Sequence, residues 1–398
     1  MSPLDLLVVG AGPAGRAAAL TARRRGLEVL VVDKAGFPRD KTCGDGLTAQ
    51  ALRLLERLGV DAPALPGYAS VCEAVLVSPS GRHVSLPLPN TGEHSAVVPR
   101  ADLEAALVRR VRASGVEVRE HAALVDLRDG PDAVQADLAD GTTVEARFVV
   151  AADGHWSAVR RVRGARTGSD LGTWHAFRQY FRGVGDQRQW VLFERDLLPG
   201  YAWVFPLSGG RANVGFGVLR DGQRTGKELA ELWRDVLTRP SVRAVLGPNA
   251  EPEAAHRAWP IPAAFDAANL ADLRVLYAGD AARVVDPLTG EGIAQALETG
   301  ILAAEAVACG DTPAAIAAHY RRHVTRAIGR DLRFARRFQR LVRSPTTARA
   351  GLRLADLSNW TRRNFARWMF EDYPRALVLT PDRWRRGMFT APGAYQSA

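Results

Sequence analysis

The chain has 398 residues, of which 47% are hydrophobic and 24% charged, so one large domain or two interleaved domains can bury a sizeable core. This composition excludes a disordered chain, and the lack of an apolar run of membrane-spanning length excludes an integral membrane protein. The formal net charge is +10, and residues 321–386 alone contribute 18 arginines against five acids.

The first predicted elements are a strand over residues 6–9, a glycine-rich turn over 10–15 and a helix that runs to about residue 25. A second strand over 27–32 ends at Asp33. A strand, a glycine turn, a helix, a strand and an acid in this order are typical of a dinucleotide-binding unit. We therefore expect a cofactor-binding domain with a parallel sheet at the start of the chain.

The glycine turn contains the residue types that a bound diphosphate requires. Gly10 permits the tight turn, Gly12 lets a pyrophosphate approach the backbone, and Gly15 lets the helix pack on the strand. The helix N-terminus then presents unpaired N–H groups and a partial positive charge to the phosphates. Asp33 stands where a carboxylate can accept hydrogen bonds from a ribose diol.

The middle of the chain alternates between predicted helix and strand. An aromatic, alternating stretch predicts an antiparallel sheet that is not part of the first unit. The predicted elements are a helix over 102–114, strands over 116–119, 133–138 and 143–150, the antiparallel sheet over 174–218, a strand over 274–277 and a helix over 292–309.

Small residues follow a predicted strand at three places, residues 10–15, 151–157 and 277–280, and the second and third of these segments also contain an acid. A backbone needs small residues where it approaches a large, flat cofactor closely. In this order the three segments resemble the FAD-dependent oxidoreductases of the p-hydroxybenzoate hydroxylase structural class. The resemblance implies an FAD site in which Asp153 belongs to the second motif and Asp280 contacts the ribityl or ribose part of FAD.

Three further segments are similar to the geranylgeranyl reductase family. Residues 41–47 resemble the family's Lys-Pro-Cys-Gly-Asp-Gly signature beside the flavin ring, residues 199–206 its Tyr-x-Trp-x-Phe-Pro motif on the substrate side, and residues 287–293 its flavin-facing loop. The likeness spans nearly the whole chain. It implies that these residues bind the cofactor: Gly10, Gly12, Ala14, Gly15, Asp33, Lys34, Cys43, Gly44, Gly46, Arg100, Leu124, Asp153, Asp280, Pro287, Gly290, Gly292 and Ile293.

Residues near the flavin-facing loop depart from the family pattern. Thr42 stands where proline is usual, and Arg283 and Asp286 stand where small or amide residues are common. These departures affect the fine shape of the flavin pocket rather than the identity of the cofactor. Thr289 is expected to cap the helix that begins near Gly292, and the positive end of this helix would stabilise negative charge on reduced flavin.

The candidate catalytic residues are Cys43, Tyr201 and Trp203. A thiol at Cys43 can donate a proton, tune the flavin or pack as a small apolar group, and its neighbours leave all three open. Strand alternation puts Tyr201, Trp203 and Phe205 on one face, where they line an apolar tunnel or form ordinary core. Reduction of an alkene needs a proton as well as a hydride, and Cys43, Tyr201 and water are the candidate donors.

The resemblance implies an FAD-dependent reductase that saturates double bonds in geranylgeranyl diphosphate, a prenylated lipid or a menaquinone tail. The electron donor is NAD(P)H or ferredoxin. An aromatic hydroxylase of the same fold is the alternative, followed by a flavin-dependent halogenase and a flavin-binding regulatory protein. The halogenase needs an active-site lysine, and the only lysines are Lys34, Lys41 and Lys227.

The expected fold class is mixed α/β, with an FAD-binding Rossmann-type domain, an inserted antiparallel sheet on the substrate side and a helical, basic C-terminal region. The arginines of that region, with interleaved aromatics, suit contact with an anionic membrane surface, a diphosphate or solvent. No secretion leader, disulfide framework or metal site is apparent, so we expect a cytoplasmic protein, in peripheral contact with the membrane, that does not bind nucleic acid. The predicted segments are 1–70, 96–166 and 268–330 for the FAD domain, 71–95 and 167–267 for the sheet, and 331–398 for the helical region.

Overall fold

The computed structural model describes residues 3–88, 94–164, 172–220, 222, 224–310, 312–384 and 388–389. Each of the six predicted segments therefore extends in part beyond the described residues. The strands are β1 (Leu4–Val9), β2 (Val29–Val32), β3 (Gly46–Thr48), β4 (Ala69–Ser70), β5 (Glu73–Val77), β6 (His83–Pro87), β7 (Ser95–Val97), β8 (Glu117–Arg119), β9 (Leu124–Asp129), β10 (Val134–Leu138), β11 (Thr143–Ala151), β12 (Trp174–Arg182), β13 (Gln189–Leu192), β14 (Tyr201–Leu207), β15 (Arg211–Leu219), β16 (Glu251–Pro252), β17 (Arg257–Ile261), β18 (Ala271–Asp272) and β19 (Val275–Tyr277). The α-helices are α1 (Pro13–Arg24), α2 (Ala49–Arg57), α3 (Arg100–Ala113), α4 (Ala158–Val162), α5 (Gly226–Thr238), α6 (Pro240–Leu246), α7 (Ile293–Cys309), α8 (Pro313–Val324), α9 (Arg330–Val342), α10 (Pro345–Ala355) and α11 (Asn359–Met369).

The first sheet has the strand order β18-β19-β11-β1-β2-β8, and β10 connects β11 to β9 at its side. Strands β1, β2, β8, β11 and β19 run parallel, with Val9 next to both Val32 and Ala151. The buried apolar runs of β1 and β2 are typical of a parallel sheet covered on both faces. Because the carboxyl ends of β1, β2 and β11 lie side by side, the loops that follow them meet at one edge of the sheet.

Two glycines allow the helices to pack closely on this sheet. A Cβ on Gly15 of α1 would lie 1.9 Å from the carbonyl oxygen of Gly10, and one on Gly300 of α7 would lie 2.1 Å from the carbonyl oxygen of Ala14. Helices α1 and α7 therefore contact each other backbone to backbone. This contact holds the N-terminus of α1 in place beside the sheet.

The second sheet has the strand order β16-β12-β15-β14-β13-β5-β6, and β17 also pairs with β12. All pairs except β13 with β5 are antiparallel. The alternation of β14 directs Ala202 and Val204 toward one apolar cluster, and Trp203 and Phe205 toward another. The sheet therefore presents aromatic side chains on one of its faces.

The mixed α/β class, the cofactor domain and the helical C-terminal region are confirmed. The predicted strand over 6–9, the helix up to about residue 25, the antiparallel stretch over 174–218 and the helix over 292–309 are present with small shifts of their ends. The domain boundaries themselves stay a prediction. None of the helices among the described residues is long and apolar enough to cross a membrane.

Candidate active site

A cavity of about 750 Å³ lies where the loops of the first sheet meet the aromatic face of the second. It is lined by the glycine turn, the loop around Cys43, the second and third motifs, and strand β14. Seventeen of the predicted site residues line it: Gly10, Gly12, Ala14, Asp33, Lys34, Cys43, Gly44, Gly46, Arg100, Leu124, Asp153, Asp280, Gly290, Gly292, Ile293, Tyr201 and Trp203.

The glycine turn leaves room for a ligand beside the first turn of α1. Gly10 has φ +99°, and a Cβ there would lie 2.4 Å from the carbonyl oxygen of Ala152, so only glycine fits. At Gly12, which precedes α1, the nearest atom to an added Cβ is 3.9 Å away, and no side chain caps the helix. The N–H groups of the first turn of α1 are thus available to a phosphate.

Asp33 closes this end of the cavity. Its carboxylate accepts hydrogen bonds from the backbone N–H of Ala11, at 2.7 Å, and of Ala35, at 2.8 Å. The guanidinium of Arg39 lies 3.2 Å from the same carboxylate. These bonds hold the carboxylate at the end of β2, on the cavity wall, as the strand–turn–helix pattern predicts.

A buried charge cluster supports the glycine turn. Glu104 of α3 is fully buried, accepts two hydrogen bonds from Arg100 at 2.8 and 2.9 Å, and lies 2.6 Å from Arg16 of α1. Burial raises the pKa of Glu104, but the charges of Arg100, Arg16 and Arg39 outweigh it and hold the pKa at about 2. Arg100 therefore reaches the cavity as a fixed cation, although its contact with a pyrophosphate stays a prediction.

The second and third motifs are tied to each other. Ser157 caps α4 by accepting a hydrogen bond from the backbone of Arg160 at 3.0 Å. The Arg160 side chain donates to the carbonyl of Ala281 at 2.5 Å and stacks over Tyr277 at 4.1 Å. In the third motif, Asp280 pairs with Lys41 at 2.8 Å, so the loop that precedes Cys43 is held against it.

The Cys43 loop is fixed by residues that the sequence analysis missed. Asn213 of β15 donates hydrogen bonds to the Cys43 carbonyl at 2.9 Å and to Asp45 at 2.8 Å, and accepts one from the Trp203 indole at 3.0 Å. The Tyr180 hydroxyl also donates a hydrogen bond to the Asp45 carboxylate, at 2.7 Å. Asp45 stood in the quoted signature, but nothing local in the strands marked Asn213 or Tyr180.

Tyr201, Trp203 and Phe205 form a continuous aromatic wall. The ring centroids of Tyr201 and Trp203 lie 6.0 Å apart, as do those of Trp203 and Phe205. A Cβ on Gly44 would lie 3.7 Å from both Trp203 and Phe205, so the Cys43 loop runs directly along the wall. All three rings line the cavity, and Trp203 and Phe205 also belong to a buried apolar cluster, so a tunnel along this wall stays a prediction.

One expectation for the 287–293 loop is wrong, and the cofactor contact of Pro287 stays a prediction. Thr289 does not cap α7, because Gly292 occupies the cap position without a side-chain bond and the Thr289 hydroxyl accepts from the backbone of Glu291 at 3.4 Å. Pro287 does not line the cavity, and its carbonyl accepts a hydrogen bond from Gln339 of α9 at 2.5 Å. The C-terminal region therefore positions this loop.

Gly15 also lies outside the cavity lining, because its role is the close packing of α1 described above. Within the part of the chain that the structure describes, no group of three or more His, Cys, Asp or Glu side chains could hold a metal ion. The indole N–H of Trp174, which lines the cavity, has no hydrogen-bond partner among the described residues. The free N–H groups at the start of α1 can bind the phosphates of FAD, and the Asp33 carboxylate can accept hydrogen bonds from its ribose. The Trp174 indole N–H can donate a further hydrogen bond. The described residues of the cavity therefore fit FAD.

Comparisons with known proteins agree with this geometry. The family model for the FAD binding domain matches residues 4–310. A menaquinone reductase of Mycolicibacterium smegmatis is 35% identical over 328 residues, which cover 77% of this chain and 76% of the relative. A digeranylgeranylglycerophospholipid reductase of Methanosarcina mazei is 31% identical over 76% of this chain and 74% of its own length.

Among solved structures, a geranylgeranyl bacteriochlorophyll reductase-like protein from Thermoplasma acidophilum superposes with a TM-score of 0.80. The match covers 96% of this chain and 99% of that protein, at 22% sequence identity. This likeness shows the fold alone. The match to the FAD binding domain over residues 4–310 establishes FAD as the cofactor of this chain.

Proposed function

The chain belongs to the FAD-binding domain family, within the group of geranylgeranyl-type reductases, and on that premise we propose that it saturates carbon–carbon double bonds in the prenyl tail of a menaquinone. The chain is an FAD-dependent oxidoreductase. The prenyl chain as substrate class is supported by the names of both relatives described above, and the menaquinone tail by the relative with the higher identity.

The observation that carries the proposal is the continuity of the aromatic wall with the cofactor-binding loops in one cavity. Tyr201, Trp203 and Phe205 offer an apolar surface to a prenyl chain, and the Cys43 loop runs along the same surface. The cavity therefore has a polar end suited to a diphosphate cofactor and an apolar end suited to an isoprenoid.

Reduced FAD, when bound, supplies a hydride to one carbon of the alkene. The protein contributes binding, orientation and exclusion of water. The aromatic wall holds the chain by apolar contact, and Asn213 locks the wall to the Cys43 loop through Trp203. The dry surroundings matter because an isolated alkene is a poor hydride acceptor unless a proton arrives with the hydride.

The aromatic hydroxylase is less supported, because the two relatives described above, each more than 30% identical to this chain, are named reductases. For the halogenase, Lys41 lies in the cavity lining, in the loop that precedes Cys43, and its ammonium is engaged by Asp280 at 2.8 Å. A halogen carrier needs a free amine. The ion pair of Lys41 with Asp280 therefore does not favour a halogenase.

The test is anaerobic incubation of dithionite-reduced holoprotein with a menaquinone and, in parallel, with geranylgeranyl diphosphate, followed by mass spectrometry. The product is first reoxidised in air from quinol to quinone, and a menaquinone that then still carries about 2 extra mass units per reduced bond, formed as the flavin was reoxidised, supports the proposal. A gain with the diphosphate alone would change the substrate. Reoxidation only in air, with an aromatic product about 16 units heavier, would establish the hydroxylase instead.

We also propose that the helical C-terminal region touches an anionic membrane surface. Leu354, Leu357 and Trp360, at the junction of α10 and α11, are exposed by 63%, 70% and 53%. Several arginines on α9 and α10 and in the turn between them are exposed as well, namely Arg333, Arg336, Arg337, Arg340, Arg343 and Arg353. Exposed apolar side chains among cations are typical of a peripheral lipid contact, which would bring the enzyme to a membrane-dissolved substrate.

A further inference from the structure

Glu291 is an acid in the cavity wall to which the sequence analysis gave no role. It lies at the end of the loop that precedes α7. A Cβ on Gly46 would lie 3.5 Å from the Glu291 carboxyl oxygen Oε1 and 3.4 Å from the Phe205 ring, so the carboxyl faces the Cys43 loop beside the aromatic wall. Among the described residues, none donates a hydrogen bond to this carboxyl or forms an ion pair with it.

The surroundings of Glu291 keep its proton in place at neutral pH. Burial is the main reason that its pKa is raised to about 8. The negative charge of Glu371, in the segment after α11, raises the pKa further, Arg375 lowers it, and Asp286 of the same loop raises it again. Glu371 is itself held by hydrogen bonds to other side chains, so it acts on Glu291 through its charge.

The two donors expected from the sequence are less suited to give up a proton. Tyr201 donates its hydroxyl hydrogen to the Thr289 carbonyl, and burial raises its pKa above the ordinary value of a phenol. Burial also raises the pKa of the Cys43 thiol. A general acid works best when its pKa lies near the working pH, and of these three groups only the carboxyl meets that condition.

We propose that Glu291 is the proton donor of the reaction, an inference that rests on the proposed function. The alkene takes the carboxyl proton at one carbon and the hydride at the other, so two C–H bonds form as the π bond is lost. The cofactor is oxidised by two electrons, and Glu291 remains as a carboxylate. Water returns the proton after the product leaves.

The experiment compares the wild type with Glu291→Gln, which keeps the shape but carries no acidic proton, and with Glu291→Asp, which keeps the acid. Glu298→Gln is the matched control, because Glu298 lies two turns along α7, does not line the cavity and bonds to Gln50. Each holoprotein is matched for FAD content and reduced. Its oxidation by the prenyl substrate, supplied as the quinol form of a menaquinone so that only the tail can accept a hydride, and separately by oxygen, is followed by absorbance from pH 6 to 10.

We expect oxidation by the prenyl substrate to slow by about 10² or more in Glu291→Gln, while oxidation by oxygen and the control variant stay within about twofold of the wild type. The wild-type and Glu291→Asp rates should fall at high pH, where the acid ionises, and the residual Glu291→Gln rate should not. A Glu291→Gln rate close to wild type at all pH values would overturn the inference and leave the proposed function standing. A wild type that reduces no prenyl substrate overturns both.

A second measurement does not depend on turnover. Because the pKa of Glu291 is raised in the folded state, the wild type should lose stability relative to Glu291→Gln as pH rises from about 4.5 to about 8. The Tm difference between the two proteins should therefore grow over this range in favour of Glu291→Gln and then level off. A Tm difference that does not change with pH would show that the carboxyl is not held protonated, and would overturn the inference.

Discussion

The Nε atom of Arg375 lies 3.1 Å from Oδ2 of Asp286, and both side chains are almost completely buried, with exposed fractions of 2% and 1%. Arg375 follows α11, whereas Asp286 begins the loop that leads to Gly290 and α7. The same guanidinium donates to the Trp368 carbonyl at 2.6 Å. The C-terminal region is thus fastened to a loop that lines the cofactor cavity.

Replacing Arg375 by Met should therefore destabilise the protein by about 3–5 kcal/mol, because Asp286 would be left as an uncompensated buried charge. Urea unfolding of the holoprotein measures the loss, and released FAD measures the effect on the cavity. Adding Asp286→Asn to Arg375→Met should recover part of the stability, since the charge of Asp286 is then removed as well, whereas that of Glu371 remains. A loss below about 1 kcal/mol in the single variant would show that the pair contributes little.

The charge cluster of Glu104 predicts a specific dependence of stability on pH. Because the arginines hold the pKa of Glu104 at about 2, its carboxylate contributes stability above pH 4.5 that is lost as pH falls toward 2. The full contribution is roughly 3 kcal/mol. The free energy of unfolding of the wild type should exceed that of Glu104→Gln most near neutral pH, and the two should converge in acid. Equal acid dependence in both proteins would contradict the role of this carboxylate.

The parts of the site that the sequence predicts are those set by local spacing. Gly10, Gly12 and Asp33 follow from a strand, a turn and a helix within the first 33 residues, and the side-chain alternation of β14 placed Trp203 on the cavity face. Thr289 was wrongly expected to cap α7, because the path of the chain before this helix puts Gly292 at the cap position instead. The loop before α7 is held by hydrogen bonds from the backbone of Leu288 and Thr289 to Asp286, and also by the distant contact of Gln339 with Pro287.

The residues that were missed depend on distant pairing. Asn213 reaches Cys43 only because β15 pairs with β14 and the Cys43 loop lies along them. Asp286 appeared to be a departure from the family pattern, and its partner Arg375 lies 89 residues away. A single sequence contains no signal for such pairs, since an isolated Asn, Asp or Arg resembles an ordinary polar residue of the surface.

The backbone contact between α1 and α7 predicts that Gly300→Ala is damaging. Its Cβ would lie 2.1 Å from the Ala14 carbonyl, so the helices must move apart, at a cost of about 1–3 kcal/mol. Because Ala14 lines the cavity, FAD should also bind more weakly. Gly351→Ala in α10 is the control, since an added Cβ meets no atom within 4 Å there, and it should stabilise by about 0.5–1 kcal/mol. Similar unfolding curves for the two variants would contradict the close packing.

The proposed membrane contact predicts that serine at Leu354, Leu357 and Trp360 together weakens binding to vesicles that contain phosphatidylglycerol. Three exposed apolar side chains would no longer enter the lipid, so the affinity in a sedimentation assay should fall at least about tenfold. Val125→Ser is the control, because Val125 is 56% exposed on β9 of the first sheet, outside the C-terminal region.

The wild type should bind vesicles of phosphatidylcholine alone more weakly, and added salt should weaken its binding to the anionic vesicles, since the exposed arginines supply the electrostatic part of the attraction. The menaquinone reductase activity proposed here needs access to a substrate dissolved in the membrane. The triple variant should therefore reduce vesicle-bound menaquinone more slowly, yet reduce a detergent-solubilised menaquinone at the wild-type rate. Equal loss with both substrates would place these residues in the folding of the protein rather than at its membrane surface.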